Sequence, residues 1–453
     1  MTGGAPALAL SPELSRRLDR LVLQAQHDWR SPAVSAGVVR DGRLVWSTHV
    51  GSARLEPRTI PTDDTQYMIG SVTKTFTAIL VMALRDEGRL RLDDRLEQYL
   101  PQSRHRDVTL RQMLGHASGL QREPVGRIWE NLDAPDQERL LRELEDAERV
   151  LPPHFAFHYS NLAYALLGQV VEQVEGASWE QVVRRRILDP LEMRLTGLAP
   201  DVDRALGYHV HPHAGTATEE PLFDLRATAP VGGLWSTVAD LARYAAFVAD
   251  PVEEVLSADT LEEMCRPLVM TDPDSWGGAY GLGFGMERSR ERVLVGHGGA
   301  MPGYLTGLRV RRADKVGAVA FANSTAGALP LTLATQLVDA VLDAEPTAAA
   351  PWLPSQARPD LEGVLGSWWS EGEELVFEVR GEALWSRVAA SAKPVNDTRF
   401  EREAEDRFRA VEGRERGELL ELVRDEDGRV VQMYFATYAV TRAPRAFAEL
   451  ARP

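Results

Sequence analysis

Ser71-Val72-Thr73-Lys74 sets a hydroxyl and an amine three positions apart, just ahead of the apolar run from Phe76 to Leu84. At about 3.6 residues per turn, positions i and i+3 share a helix face, so the Lys74 amine can reach the Ser71 hydroxyl. The lysine stands out against the chain's own habits: of 51 basic residues only Lys74, Lys315 and Lys393 are lysine. An amine can shed its proton in a dry site and act as a base, whereas a guanidinium stays charged at any accessible pH. The pair therefore has the parts of a nucleophile and its activator. A capping serine ahead of a surface lysine gives the same spacing, so companions are needed before the pattern decides anything.

Working outward, the helix that carries this pair is predicted from Ser71 to about Glu87, stopped by Gly88. Leu14, Leu18, Leu21, Val22 and Ala25 repeat at helical spacing and predict an amphipathic helix over Pro12 to Trp29. Ala33 to Val39 and Leu44 to Val50 flank Asp41-Gly42, the signature of a hairpin. Residues 92–248 read as largely helical, with helices at Leu110 to Leu114, Ala134 to Leu144, Asn161 to Val174, Trp179 to Ile187 and Val238 to Phe247. Strands return at Val293 to Gly296, Tyr304 to Arg311 and Val316 to Ala322, followed by a helix over Leu329 to Leu342. The pattern implies one antiparallel sheet built from both ends of a domain spanning 10–345, flanked by helices, with an all-helical insertion at about 92–250. An alanine- and proline-rich linker, 346–360, leads to a second domain, 361–453. Its short alternating runs, such as Leu375 to Val379, Ala383 to Ser386, Phe408 to Val411, Leu419 to Leu422 and Val430 to Thr437, predict a small antiparallel barrel or sandwich. Trp368, Trp369, Trp385 and Phe435 are the expected core.

Bulk properties narrow the function classes. With 453 residues, 44% apolar and 26% charged, the chain is an ordinary globular protein. A net charge of -16 argues against nucleic acid or an anionic membrane as the main partner, because phosphates demand a positive field. The single cysteine, Cys265, excludes an internal disulfide. Met1 to Leu10 lacks a basic leader, and no window holds the roughly 18 apolar residues of a spanning helix, so a cytoplasmic protein is expected. Oligomeric state is not readable.

A serine becomes a nucleophile only when a neighbour takes its proton, and the reacting carbonyl needs donors for its oxyanion. Two further segments offer suitable groups: Tyr159-Ser160-Asn161 at the start of a helix, and His297-Gly298-Gly299 at the end of an edge strand. Tyrosine can shuttle a proton, asparagine can orient an amide, and glycines let a substrate backbone come close. Taken in this order, the three segments resemble the signatures of serine β-lactamases and penicillin-binding proteins, nearest to the class C β-lactamase and esterase branch. Leu114 to Leu120, Gly232 to Thr237 and Gly88 to Pro101 are similar to stretches at comparable places in that family.

The resemblance implies an α/β (α+β) transpeptidase-like fold and a catalytic set of Ser71, Lys74 and Tyr159. In that reading Ser71 is acylated, Lys74 or Tyr159 is the principal base, and Tyr159 relays protons to the leaving group and helps activate the deacylating water. Asn161 holds the substrate or the Lys74 amine. The amides of Ser71 and Ala300 form the oxyanion hole, with His297, Gly298 and Gly299 along the substrate. No metal or organic cofactor is implied. Penicillin-recognising members usually carry lysine, threonine and glycine where this chain has His297, Gly298 and Gly299, and an imidazole largely neutral at pH 7 forgoes the attraction of a substrate carboxylate. Hydrolysis of small esters, or of amides and peptides possibly containing D-amino acids, therefore ranks above β-lactam hydrolysis. The rivals are a D,D-carboxypeptidase or β-lactamase and, from another class, a non-catalytic ligand-binding sensor.

Other patterns carry less. His209, His211 and His213 alternate as metal ligands on a strand would, but Pro212 interrupts them and no carboxylate follows at ligand spacing. Gly281 to Gly285 reads as a sheet turn. There is no G-x-S-x-G elbow, which counts against an α/β-hydrolase. Gly366-Ser367-Trp368 is similar to the G-x-W of lipocalin-like barrels.

Overall fold

The computed structural model describes residues 9–101, 103–200, 203–325, 327–347, 352–391 and 397–446. Residues 1–8, part of the linker (348–351) and the end of the second domain (447–453) lie outside the described residues. The chain divides into two compact units, Met1–Thr347 and Ala348–Pro453.

In the first unit the helix Pro12–Trp29 starts where Ser11 Oγ accepts the amide of Leu14 and ends at Arg30, which takes a left-handed conformation. Its buried stripe, Leu14, Leu18 and Val22, packs with Leu333 and Leu337 of the helix Pro330–Ala344. Together these two helices cover one face of an eight-stranded sheet through Val34, Ala36, Ala318 and Ala320. The other face, including Val39, Leu308, Val319 and Phe321, joins the large core formed with the central helices.

Read across the sheet, the strands run Arg43–Gly51, Ala33–Arg40, Val316–Ala322, Tyr304–Arg311, Arg292–Met301, Gly285–Ser289, Gly278–Tyr280 and Val269–Met270. All pairs are antiparallel. The first hairpin turns on Asp41 (φ 48°) and Gly42 (φ 78°), both in the left-handed region that a tight two-residue turn requires. The last two strands are too short to show a period of two, so nothing in the sequence marked them. The strand expected at Val293 to Gly296 runs on to Met301, because its glycines hide it from a propensity reading.

Between the sheet's two halves the chain is mostly helical, and small two-stranded ladders interrupt it. Tyr67–Met68 pairs with Trp235–Ser236, and Tyr208–Val210 pairs with Ala217–Glu219. The first ladder ties the start of the Ser71 segment to the far end of the helical region.

The second unit is an up-and-down meander of eight antiparallel strands in sequence order, from Gly366–Ser370 to Tyr438–Val440. Its ends meet where the amide of Trp369 donates to Thr441 O at 2.7 Å and the amide of Thr441 donates back at 2.9 Å. Trp368 is fully buried among Phe377, Phe400, Phe408 and Met433, and its indole N–H donates to Val364 O at 2.6 Å. Strand alternation reverses part of the expected core: Leu384 and Ser386 point inward, which turns Trp385 outward against Arg380, 5.1 Å away. Trp369 likewise lies on the opposite face from Trp368, outside the core cluster, while Phe435 packs against it half-buried. We expect Trp368→Ala to destabilise this unit by about 3–5 kcal/mol in urea unfolding and Trp385→Ala by much less.

Candidate active site

Ser71 sits in one 3-10 turn, Gly70–Val72, that runs straight into the helix Thr73–Asp86. Gly70 has φ 51°, and a Cβ there would lie 2.6 Å from Ala300 N. At Gly299 a Cβ would lie 1.8 Å from Ile69 O and 3.3 Å from Ser71 N. Only glycine allows this backbone-to-backbone approach. It brings the amides of Ser71 and Ala300 to one place, as an oxyanion hole needs. The strand is not at the sheet edge as expected: Arg292 to Gly296 pairs with one neighbour and Val295 to Met301 with the other. From His297 onward one side of the strand has left the sheet, and Ile69 and Ser71 approach its face at Gly299.

Lys74 is completely buried. Its Nζ lies 3.0 Å from Ser71 Oγ and donates to Val231 O at 2.9 Å. The rings of Tyr159 and Tyr164 stand 4.9 and 5.7 Å away. Burial pushes the Lys74 pKa well down, with Glu123 opposing and Arg122 reinforcing. A neutral amine keeps one lone pair, and with an N–H held by Val231 that pair is available to the Ser71 proton. The Val231 carbonyl is fixed in turn, because the segment around it is stitched to the same helix: Thr77 Oγ1 donates to Pro230 O and Leu234 N donates to Thr73 Oγ1.

Tyr159 and Asn161 come from the start of the helix Asn161–Glu175, whose N-cap is Ser160. Burial pushes the Tyr159 phenol pKa up, while its hydrogen bond to Ser71 pulls the other way. The Arg122 guanidinium lies 5.1 Å from the same ring. Asn161 does not hold the Lys74 amine, a task that falls to Val231; its Nδ2 donates instead to Glu123 Oε1 at 2.7 Å.

His297 is buried, with Nδ1 2.6 Å from Gly298 O and Nε2 3.0 Å from the Tyr280 hydroxyl. The carbonyl can only accept, which places the imidazole proton on Nδ1. Burial, with Lys74 adding to it, pushes the His297 pKa down to about 3, so the ring is neutral at physiological pH. Behind it lies His116, fully buried between Tyr159 (4.3 Å) and Tyr280 (4.8 Å) and held far below its usual pKa by burial. Its Nδ1 accepts the Ser160 amide at 3.1 Å.

A small cavity of about 40 Å³ opens beside Ser71, Ala300 and Met301, lined by Glu123, Asn161, Ile128 and Trp129 among others. Sequence reasoning missed Glu123, Val231 and Tyr280. Glu123 carries no motif, Tyr280 lies on a strand too short to read, and Val231 acts through a carbonyl that every residue has. Ser118 is buried, and its Oγ accepts the Leu120 amide, a structural task. His211 Nδ1 accepts the amides of His213 and Ala214, so that segment closes a turn. Among the described residues no group of His, Cys, Asp and Glu could hold a metal, and no helix is long and apolar enough to cross a membrane.

The profile of the family described as "Beta-lactamase" matches residues 18–342, and that of a domain of unknown function, DUF7586, matches 357–442. Beta-lactamase-like protein 2 of Dictyostelium discoideum is 29% identical over 67% of this chain and 58% of its own length. The chain thus spans less than two thirds of that relative. Penicillin-binding protein 4 of Amycolatopsis lactamdurans is 30% identical over 69% of this chain and 86% of its own. Among solved structures, a D-stereospecific amidohydrolase from Streptomyces sp. superposes with a TM-score of 0.61 at 25% identity, covering 72% of this chain and 98% of that one. The family match spans the sheet, the helical segment and all three signature segments, and the chain belongs to the Beta-lactamase family.

Proposed function

We propose that the protein is a serine hydrolase that forms an acyl-Ser71 intermediate on small esters, amides or peptides. The observation that carries the reading is the buried Lys74 amine, 3.0 Å from Ser71 Oγ and held from behind by Val231 O. In acylation the Ser71 proton passes to Lys74 as Oγ bonds to the substrate carbonyl carbon. The oxyanion is met by the amides of Ser71 and Ala300. Collapse breaks the bond to the leaving alkoxide or amine, which takes a proton from Tyr159 as Lys74 returns one to the phenol. Water then adds to the acyl carbon, giving its proton to the same pair, and Ser71 recovers its hydrogen as the acid departs. Lys74 is the principal base here, because burial favours the neutral form of the amine and also of the phenol.

Neutral His297 presents no cation to a substrate carboxylate, which favours esters and amides over penicillins. The structural likeness to a D-stereospecific amidohydrolase supports amides among the substrates. Nothing in the proposed mechanism needs a metal or cofactor.

Ser71→Ala should abolish fluorophosphonate labelling and lower p-nitrophenyl ester turnover by about a thousandfold or more. Folded Ser71→Ala that labels and turns over like wild type would overturn the proposal, and wild type inactive on ester and peptide panels alike would leave a non-catalytic binding protein. Nitrocefin turnover far exceeding p-nitrophenyl acetate turnover would contradict the preference drawn from His297. That histidine also leaves a signature in stability. Its folded pKa of about 3 lies below the roughly 6.5 of an unfolded histidine, so the unfolded chain binds more protons between those values. Stability should rise with pH across that window, by up to about 1.4 kcal/mol per unit from this group, and be fully present above it. Urea unfolding of His297→Gln should show a shallower rise than wild type.

A further inference from the structure

The cavity beside Ser71 has a wall that only accepts hydrogen bonds. Asn161 is 8% exposed, and Glu123 Oε1 takes its Nδ2 at 2.7 Å. That bond fixes the amide's orientation, since a flipped Asn161 would set its oxygen against a carboxylate. The acceptor ends are left over: Asn161 Oδ1 and Glu123 Oε2 are both buried without a hydrogen-bond partner. Arg122 Nε lies 3.5 Å from Oε1, and its side chain is 64% exposed. Two buried acceptors beside a proposed nucleophile, one of them anionic, require donors that the protein does not provide. Burial disfavours the charged forms of Lys74, His116 and His297, so the charges left at this side of the site are those of Glu123 and the more exposed Arg122.

We propose that Glu123 and Asn161 form a subsite for a protonated amine on the acyl part of the substrate, making small aminoacyl esters, amides or peptides with a free amino terminus the preferred class. An ammonium has three donors and a positive charge, and so answers both orphan acceptors, whereas an acyl chain without donors leaves them unpaired. Size agrees. A cavity of about 40 Å³, against the roughly 10–15 Å³ needed by one water, takes two or three heavy atoms beyond the carbonyl. The subsite also bears on the base: Glu123 is the charge that favours protonated Lys74, and an ammonium seated on the carboxylate cancels that pull as substrate binds.

This inference rests on the hydrolase reading, and its test separates the two. Wild type and Glu123→Gln are compared on L- and D-alanine p-nitroanilide and on their N-acetyl counterparts, with p-nitrophenyl acetate reporting Ser71-dependent turnover by itself. We expect wild-type kcat/KM to favour the free amine at least tenfold for one enantiomer, and Glu123→Gln to bring that ratio close to one. No preference in wild type, or a preference that survives Glu123→Gln, overturns the subsite while p-nitrophenyl acetate turnover leaves the hydrolase standing. Calorimetry with Ser71→Ala, titrating D- and L-alaninamide against N-acetylalaninamide, reads the subsite without catalysis. Tighter binding of the free amine by at least tenfold, lost in Ser71→Ala/Glu123→Gln, supports it, and equal binding overturns it.

Discussion

The site depends on keeping one amine dry. Lys74 lies on the first turn of a helix buried on nearly every face, so its charge cannot be hydrated. Burying a charge costs far more than burying a neutral amine whose N–H is bonded, and the Val231 carbonyl supplies that bond. Everything around it serves this condition. The ladder between Tyr67–Met68 and Trp235–Ser236 closes the far segment over the helix start, and Thr73 and Thr77 bond that segment directly. The aromatic rings of Tyr159 and Tyr164 exclude water without offering a competing anion.

A second constraint is the approach of two backbones. Gly70 and Gly299 are needed where side chains would collide with main-chain atoms of Ala300 and Ile69, and the gap they leave brings together two amides from distant parts of the sequence. Such a geometry is hard to obtain from side chains, which carry rotamer freedom, and easy from a strand and a helix start whose positions the core fixes. The sheet accordingly releases the strand after Gly296, where its pairing on one side ends.

What the sequence revealed follows from how strongly each element depends on its own residues. The helix Pro12–Trp29, the strands Tyr304–Arg311 and Val316–Ala322 and the first hairpin announce themselves, because their periodicity and turn residues are local facts. Strands of two or three residues, such as Gly278–Tyr280, exist only because neighbours bond to them, and no local pattern records that. The same distinction holds at the site. Ser71 and Lys74 are read from side-chain chemistry at a telling spacing, and Tyr159 and His297 from the resemblance of their segments to the family's signatures. Val231 contributes a carbonyl, and Glu123 is an ordinary acid until the fold turns Asn161 toward it. The outward Trp385 shows the converse error: composition names a core residue that strand alternation then faces away from the core.

The three buried bases are coupled, and the coupling gives the proton a direction. Burial lowers the proton affinity of both His116 and His297, and a protonated Lys74 lowers it further. When Lys74 takes a proton, its new charge makes either imidazole a still worse acceptor at short range in a medium of low polarity. In the proposed mechanism the proton therefore stays beside Ser71 and Tyr159 rather than leaking backward into the aromatic cluster, and the leaving group is the acceptor toward which it would move. A second lysine in place of His297 would carry charge of its own into the same field. With its imidazole locked by Gly298 and Tyr280, His297 stands outside the proposed proton traffic among Ser71, Lys74 and Tyr159.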